Sequence, residues 1–295
     1  MWSAKHQAPT VLRVRWGSAR RTRAPPTSAS RLGEISTLGD GRATFGMLPI
    51  RAIVAGRGGS ISPMLRPPTE SIASYVGIRT RLTELLVDTS DDLAASTTVP
   101  ACPAWTVTDV VAHLYGVERD ILDGEMAGAG TTPWADRQVL RFAPIGLEGL
   151  LERWNETSPQ VEALAGGFPP TSAAQFVFDA CTHEHDLRGA LRRPGGREAD
   201  SVKVALTFIE HALSGLVEER RLPGITLDTP GFVASIGDQP RTVRLSTSGF
   251  ELLRSFGGRR ATDQILALPW EGDPTEYLVF FEEGPLTPPE APLVE

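Results

Sequence analysis

The chain has 295 residues, 41% of them hydrophobic, enough for one large domain or two modest ones, and no stretch reaches the roughly 18 to 20 uninterrupted apolar residues of a membrane helix. Its two cysteines, Cys102 and Cys181, exclude a disulfide scaffold, a zinc finger and a four-cysteine cluster, and they fit a reducing, cytoplasmic compartment. The net charge of -7 is divided unevenly: residues 1–63 hold ten Lys/Arg against two acids, whereas the remainder is net -15, an acidic body that repels phosphate backbones and argues against nucleic acid as a partner.

Residues 1–63 are rich in Arg, Ala, Ser, Gly and Pro without a sustained apolar period, which predicts disorder. Three readings of this segment stay open: an upstream start preceding the true one at Met64, an Arg-rich transit peptide, and a basic arm around Arg20, Arg21 and Arg23. From residue 66 to 196 the pattern is helical. Residues 70–87 carry Ile72, Val76, Ile78, Leu82, Leu85 and Leu86 at helical spacing and stop at a polar run. A loop through residues 99–105 leads to Thr106, which with Asp109 forms a capping-box pattern, so a second helix starts there with Val107, Val110, Val111, Leu114, Val117 and Ile121 on one stripe.

A long loop from Gly124 to Pro144 is followed by helices over residues 147–164 and 171–191, each stopped by glycines or Pro-Gly. Four helices in so short a span predict an up-and-down bundle. Between residues 198 and 283 the texture changes to a small α+β domain: a fifth helix over 201–220, strands at 225–227, 232–236 and 241–245, helices over 249–256 and 261–268, and a final strand at 277–281. Residues 284–295 contain four prolines and read as a loose tail.

Three of the five histidines fall in the bundle. Asp179 and His183 stand four residues apart, one turn along the same helix face, and a rotation of 100° per residue places them roughly 60 to 100° from the apolar line through Ala173, Phe176, Ala180 and Leu187. The same arithmetic puts His113 beside the stripe of the second helix, on the flank of Asp109 and Asp120. A bundle can turn two such flanks together, giving two imidazoles and one carboxylate, a set that suits zinc or a similar divalent ion and leaves a position open. On the same helix Glu184 falls nearer the stripe, as an outer partner of such a site, and His185 points away toward solvent. His211 reads as structural, and Cys102 as a buried small hydrophobe. The chain has no G-x-S-x-G elbow, no Walker A loop and no G-x-G-x-x-G after a strand.

Residues 99–114, VPACPAWTVTDVVAHL, resemble the first signature of the mycothiol-dependent maleylpyruvate isomerase family within the DinB-like metal-binding bundles, and residues 178–191, with THEHDLRGAL, resemble its second. The likeness covers about residues 68–283 and implies a DinB-like up-and-down four-helix bundle followed by a small α+β domain. It implies metal ligands at His113, Asp179 and His183; the acidic ligand in the family is usually Glu, so Asp179 is one methylene short and metal identity stays open. It further implies a divalent metal, zinc above all, and mycothiol as thiol cosubstrate, acting on a small electrophilic substrate in the cytoplasm of an actinobacterium. Either cis-trans isomerisation or S-transfer would use that site; Arg188, Arg259 and Arg260 are candidates to receive an acidic substrate, with solvated or structural arginines as the favoured reading of all three. The alternative is a non-catalytic, metal-stabilised binding or stress-response module of the DinB-like class. Neither reading fixes the oligomeric state.

Overall fold

Pro68, in a first turn where its missing N–H costs nothing, opens α1 (Pro68–Leu86) in the computed structural model, which describes residues 65–238, 240–282 and 288–295, the side chains of Phe281 and Glu282 excepted. The basic front segment and its three readings lie outside the described residues. Next come α2 (Asp91–Ser96) and an antiparallel hairpin of β1 (Thr98–Val99) with β2 (Cys102–Thr106), where the sequence read only a polar run and a loop. The polar run is the helix start: the Ser90 hydroxyl accepts from Leu93 N–H at 3.3 Å, and Asp91 and Asp92 fill the first turn, where the macrodipole favours acids.

The capping box forms as its spacing predicts. The Thr106 hydroxyl accepts from the Asp109 N–H at 3.3 Å, Asp109 Oδ2 accepts from the Thr106 N–H at 2.8 Å, and α3 (Val107–Asp123) runs to a left-handed Gly124 at φ 74°. The expected long loop after it contains α4 (Thr132–Phe142) instead, with Pro133 in its first turn. Its approach to α3 depends on Gly116, where an added Cβ would lie 2.5 Å from the Cβ of Gln138. α5 (Leu147–Ala163) and α6 (Pro170–Ala190) follow close to their predicted spans.

α1 packs on α5 and α6, and α3 packs on the same two, so these four helices are the bundle the periodicity predicts. α7 (Asp200–Arg220) lies along α6 and α1. β3 (Gly224–Thr229), β4 (Phe232–Ile236), β5 (Arg241–Ser246), α8 (Gly249–Phe256), α9 (Thr262–Leu266), β6 (Trp270–Glu271) and α10 (Val279–Glu282) complete a mainly α chain with a small α+β C-terminal part. The sheet order is β4-β3-β5-β6, parallel only between β3 and β5, and α7 joins it to the bundle by packing against β4 and α8. No final strand forms at 277–281. Residues 275–277 are a 3-10 turn and α10 follows, because five apolar residues carry too little periodicity to separate strand from helix. Among the described residues no helix is long and apolar enough to cross a membrane.

The covering of α6 matters most for function. Every residue from Ala173 to Leu187 is buried, so the helix has no solvent face over four turns and its polar side chains must find partners inside the protein.

A separate buried carboxyl sits on the far half of α3. Glu118 Oε1 accepts from Tyr75 Oη and Ser158 Oγ, both at 2.7 Å, and Trp154 Nε1 donates to that tyrosine at 3.0 Å. Burial outweighs these donors and pushes Glu118 up from 4.5 to about 7. Between those values the folded chain holds a proton that the unfolded chain has released. This contribution to stability is therefore complete below pH 4.5 and is lost as pH rises to about 7. Glu118→Gln should flatten the pH dependence of the urea midpoint across that window and raise stability at pH 8 by up to about 3 kcal/mol. Parallel curves for the two proteins would contradict this.

Candidate metal centre

One capping choice and one helix spacing build the site. The Thr106–Asp109 box sets the start of α3 and thereby the angle at which His113 leaves it seven residues later. On α6, Asp179 and His183 are one turn apart and face the same way. The bundle brings the three side chains to one buried point: His113 Nε2 lies 3.4 Å from Asp179 Oδ2, and His183 Nε2 lies 3.8 Å from Asp179 Oδ1. A tetrahedral zinc with bonds of about 2.1 Å spaces its ligand atoms by roughly 3.4 Å, so one ligand atom from each residue can meet a single ion. Among the described residues, His113 Nε2 and both Asp179 oxygens are buried without a hydrogen-bond partner. A fully buried carboxylate left in that state costs several kcal/mol, and a bound cation is the group this donor set fits.

The other nitrogen of each imidazole is held. His113 Nδ1 faces Gln138 Oε1 at 2.7 Å, which makes Nδ1 the protonated nitrogen and leaves the Nε2 lone pair for the site. Gln138 is fixed in turn by its Nε2 donating to Asp120 Oδ2 at 2.8 Å, and Arg141 holds the other Asp120 oxygen at 2.7 Å. His183 Nδ1 lies 3.0 Å from Asp186 Oδ2, fixing the same tautomer there. Such outer contacts orient metal-ligating histidines and raise their basicity. The Trp105 ring covers both imidazoles, with centroids 5.2 Å from His113 and 5.9 Å from His183.

Charge is arranged around this point. Burial alone would raise Asp179, but the facing His113 and His183, when protonated in the absence of a cation, hold it below its ordinary value. Burial also lowers His183, partly offset by its bond to Asp186. Asp186 would itself be raised by burial, yet it stays well below the carboxylate range because Arg259 binds both its oxygens, at 3.1 and 2.6 Å, and Arg254 reaches Oδ1 at 2.8 Å. Cys102, His183 and Asp186 also converge. That second group is a poor metal site: Asp186 is already spent on two guanidiniums, and burial pushes the Cys102 thiol far up, away from the thiolate a metal requires.

Several sequence expectations are corrected here. Glu184 is no outer partner of the site; it binds Arg81 at 2.8 and 2.6 Å and Arg188 at 3.0 Å. His185 is buried, its ring edge against Phe250, and burial together with Arg254 lowers it to about 3, because α8 covers the face that helical spacing alone assigns to solvent. The three candidate acceptor arginines stand in ion pairs, in line with the favoured structural reading: Arg188 with Glu184, Arg259 with Asp186, and Arg260 with Glu251 and Glu295. Cys102 is buried as expected but also polar in its contacts, 3.4 Å from Asp186 Oδ2 and 3.0 Å from Arg259 Nη2. His211 lies on α7, away from this cluster in sequence, and has no part in it. Helical rotation places Asp120 on the flank of His113, but neither Gln138 nor Arg254 is placed beside the site by the elements read from the sequence. The Thr-Pro start of α4 followed by Trp134, Gln138 and Phe142 at four-residue spacing was the available signal for Gln138.

Residues 77–199 match the family model described as the mycothiol maleylpyruvate isomerase N-terminal domain. Among solved structures, the mycothiol-dependent maleylpyruvate isomerase is similar at 11% identity and TM-score 0.45, covering 70% of this chain and 97% of that one. A histidine-to-alanine mutant of the same enzyme is similar at 10% identity and TM-score 0.46, covering 68% and 92%. No curated protein sequence matches the chain.

Proposed function

From the match of residues 77–199 to the mycothiol maleylpyruvate isomerase N-terminal domain, we propose that this protein binds one divalent ion, zinc best of all, through His113, Asp179 and His183, and uses mycothiol as the nucleophile on a small electrophilic substrate. The observation that carries the reading is the buried set of two oriented imidazoles and one hydrogen-bond-free carboxylate. Bound there, the ion would supply Lewis acidity that lowers the pKa of a thiol and favours its thiolate. The chain's own residues keep the site ready. Gln138 and Asp186 hold the Nδ1 protons of the two imidazoles, which leaves both Nε2 atoms facing Asp179. Trp105 and Trp134 wall the imidazole of His113 against water, the second at 6.3 Å and edge-on.

Neither cysteine competes with an added thiol as nucleophile, since burial pushes both Cys102 and Cys181 up, the latter to about 12. Reversible addition of a thiolate to an activated double bond, rotation and departure would interconvert cis and trans isomers; displacement at another electrophile would be S-transfer. We favour isomerisation or S-transfer over a non-catalytic module because the matched family is named for a thiol-dependent reaction and both cysteines are buried.

Mycothiol should bind the metal-loaded protein at least tenfold more tightly than the apo protein, with release of close to one proton, because the thiol loses its hydrogen on coordination. Calorimetry in two buffers of different ionisation enthalpy counts that proton. Cys102→Ala should leave the effect in place. Equal affinity with and without metal, and no proton release, would refute the thiol-dependent reading and favour the non-catalytic module.

A further inference from the structure

Three guanidiniums gather where α8 meets α6. Arg254 is fully buried, and Arg259 and Arg260 are 5% and 6% exposed. Among the described residues of the folded body, two carboxylates pair with them: Asp186, which takes Arg254 and Arg259, and Glu251, which takes Arg260 through Oε2 and Oε1, both at 2.9 Å. Among the described residues of the folded body, three positive charges face two negative ones, and an uncompensated buried charge is expensive.

The missing charge comes from residue 295. Arg254 Nε donates to Glu295 Oε2 at 2.8 Å, Arg254 Nη2 pairs with Glu295 Oε1, and Arg260 Nη1 donates to Oε2 at 3.0 Å. The carboxylate thus receives a two-pronged grip from one arginine and a third donor from another, the geometry by which proteins recognise carboxylate ligands. On the facing helix, Gly189 leaves room for it: a Cβ there would come within 3.3 Å of Oε1. A clasp of two bonds holds the tail nearby, Gln264 Nε2 donating to Leu293 O at 2.9 Å and Leu293 N–H donating to Gln264 Oε1 at 3.1 Å. The tail read from sequence as loose is therefore docked over its last residues, and it carries a single side-chain charge into a buried, positively charged seat.

We propose that Arg254 and Arg260 form a binding site for one carboxylate anion, that the chain fills this site with its own Glu295, and that a small carboxylate ligand enters only by displacing the tail. The site stands next to the candidate metal centre, because Arg254 also binds Asp186 and Asp186 lies 3.0 Å from His183 Nδ1. It does not depend on metal or thiol. Glu295 acts as a tethered competitor, present at the high effective concentration that covalent attachment confers.

Trifluoroacetate, followed by its 19F linewidth on the full chain, reports occupancy directly. Glu295→Gln should bind it saturably and roughly tenfold more tightly than the unsubstituted protein, the factor expected from removing a tethered competitor. A chain lacking residues 293–295, which also loses the Gln264 clasp, should behave in the same way. Adding Arg260→Gln to Glu295→Gln should remove the binding. Equal affinity in the unsubstituted and Glu295→Gln proteins, no saturable binding in either, or binding that survives Arg260→Gln would each overturn the proposal.

Discussion

Protein purified without chelator should carry close to one divalent ion per chain, and His183→Ala should carry almost none. His183 offers its Nε2 toward Asp179 while Asp186 fixes its other nitrogen, so truncation removes a ligand and the contact that orients it together. Elemental analysis of the two proteins decides the matter; full retention of stoichiometric metal by His183→Ala would exclude this centre. Gln138→Ala provides a graded version. It leaves all three candidate ligands in place but frees the His113 ring to rotate and to exchange tautomers, which should weaken metal binding by about 10- to 100-fold. Competition against a chromogenic chelator measures that ratio.

Asp186→Ala should cost stability on the order of 3 to 5 kcal/mol, the largest effect expected for a residue outside the candidate ligand set. Its carboxylate is shared by Arg254, Arg259, His183 and the Cys102 thiol, all buried. Removing it leaves two guanidiniums inside the protein with one fewer negative charge, and neither arginine can lose its proton to relieve the cost. Urea unfolding at pH 7 reads the difference through the midpoint at constant slope. Asp186→Asn, which keeps the shape and accepts one of these bonds, should lose less, and metal affinity should fall in both because His183 loses its orienting partner. A loss below 1 kcal/mol for Asp186→Ala would mean that solvent reaches the arginines.

These residues also show how far each kind of reasoning extends. Local rules, which act over one or two helical turns, were readable along the chain: the capping box at Thr106 and Asp109, the helix stops at glycine and proline, and the facing of Asp179 with His183. The α4 helix was missed because a Gly-rich, Pro-containing stretch reads as loop when its weak stripe of Trp134, Gln138 and Phe142 is weighed against its breakers. The strand expected at 277–281 failed for the complementary reason, a run too short for its period to be measured.

By itself, the sequence determined that this is a helical bundle with an α+β extension and that one imidazole and an acid–imidazole pair border its core, because helical rotation fixes angles within an element. Which borders become interior only the tertiary structure decided. The packing of α7 along α6 and of Phe250 on α8 against His185 buries that histidine, and α8 brings Arg254 to Asp186 across 68 residues of chain. The approach of α4 over Gly116 brings Gln138 to His113, and the return of the tail brings Glu295 to Arg254. Each of these contacts joins residues far apart in the chain, and periodicity, which relates only near neighbours along one axis, carries no term for them.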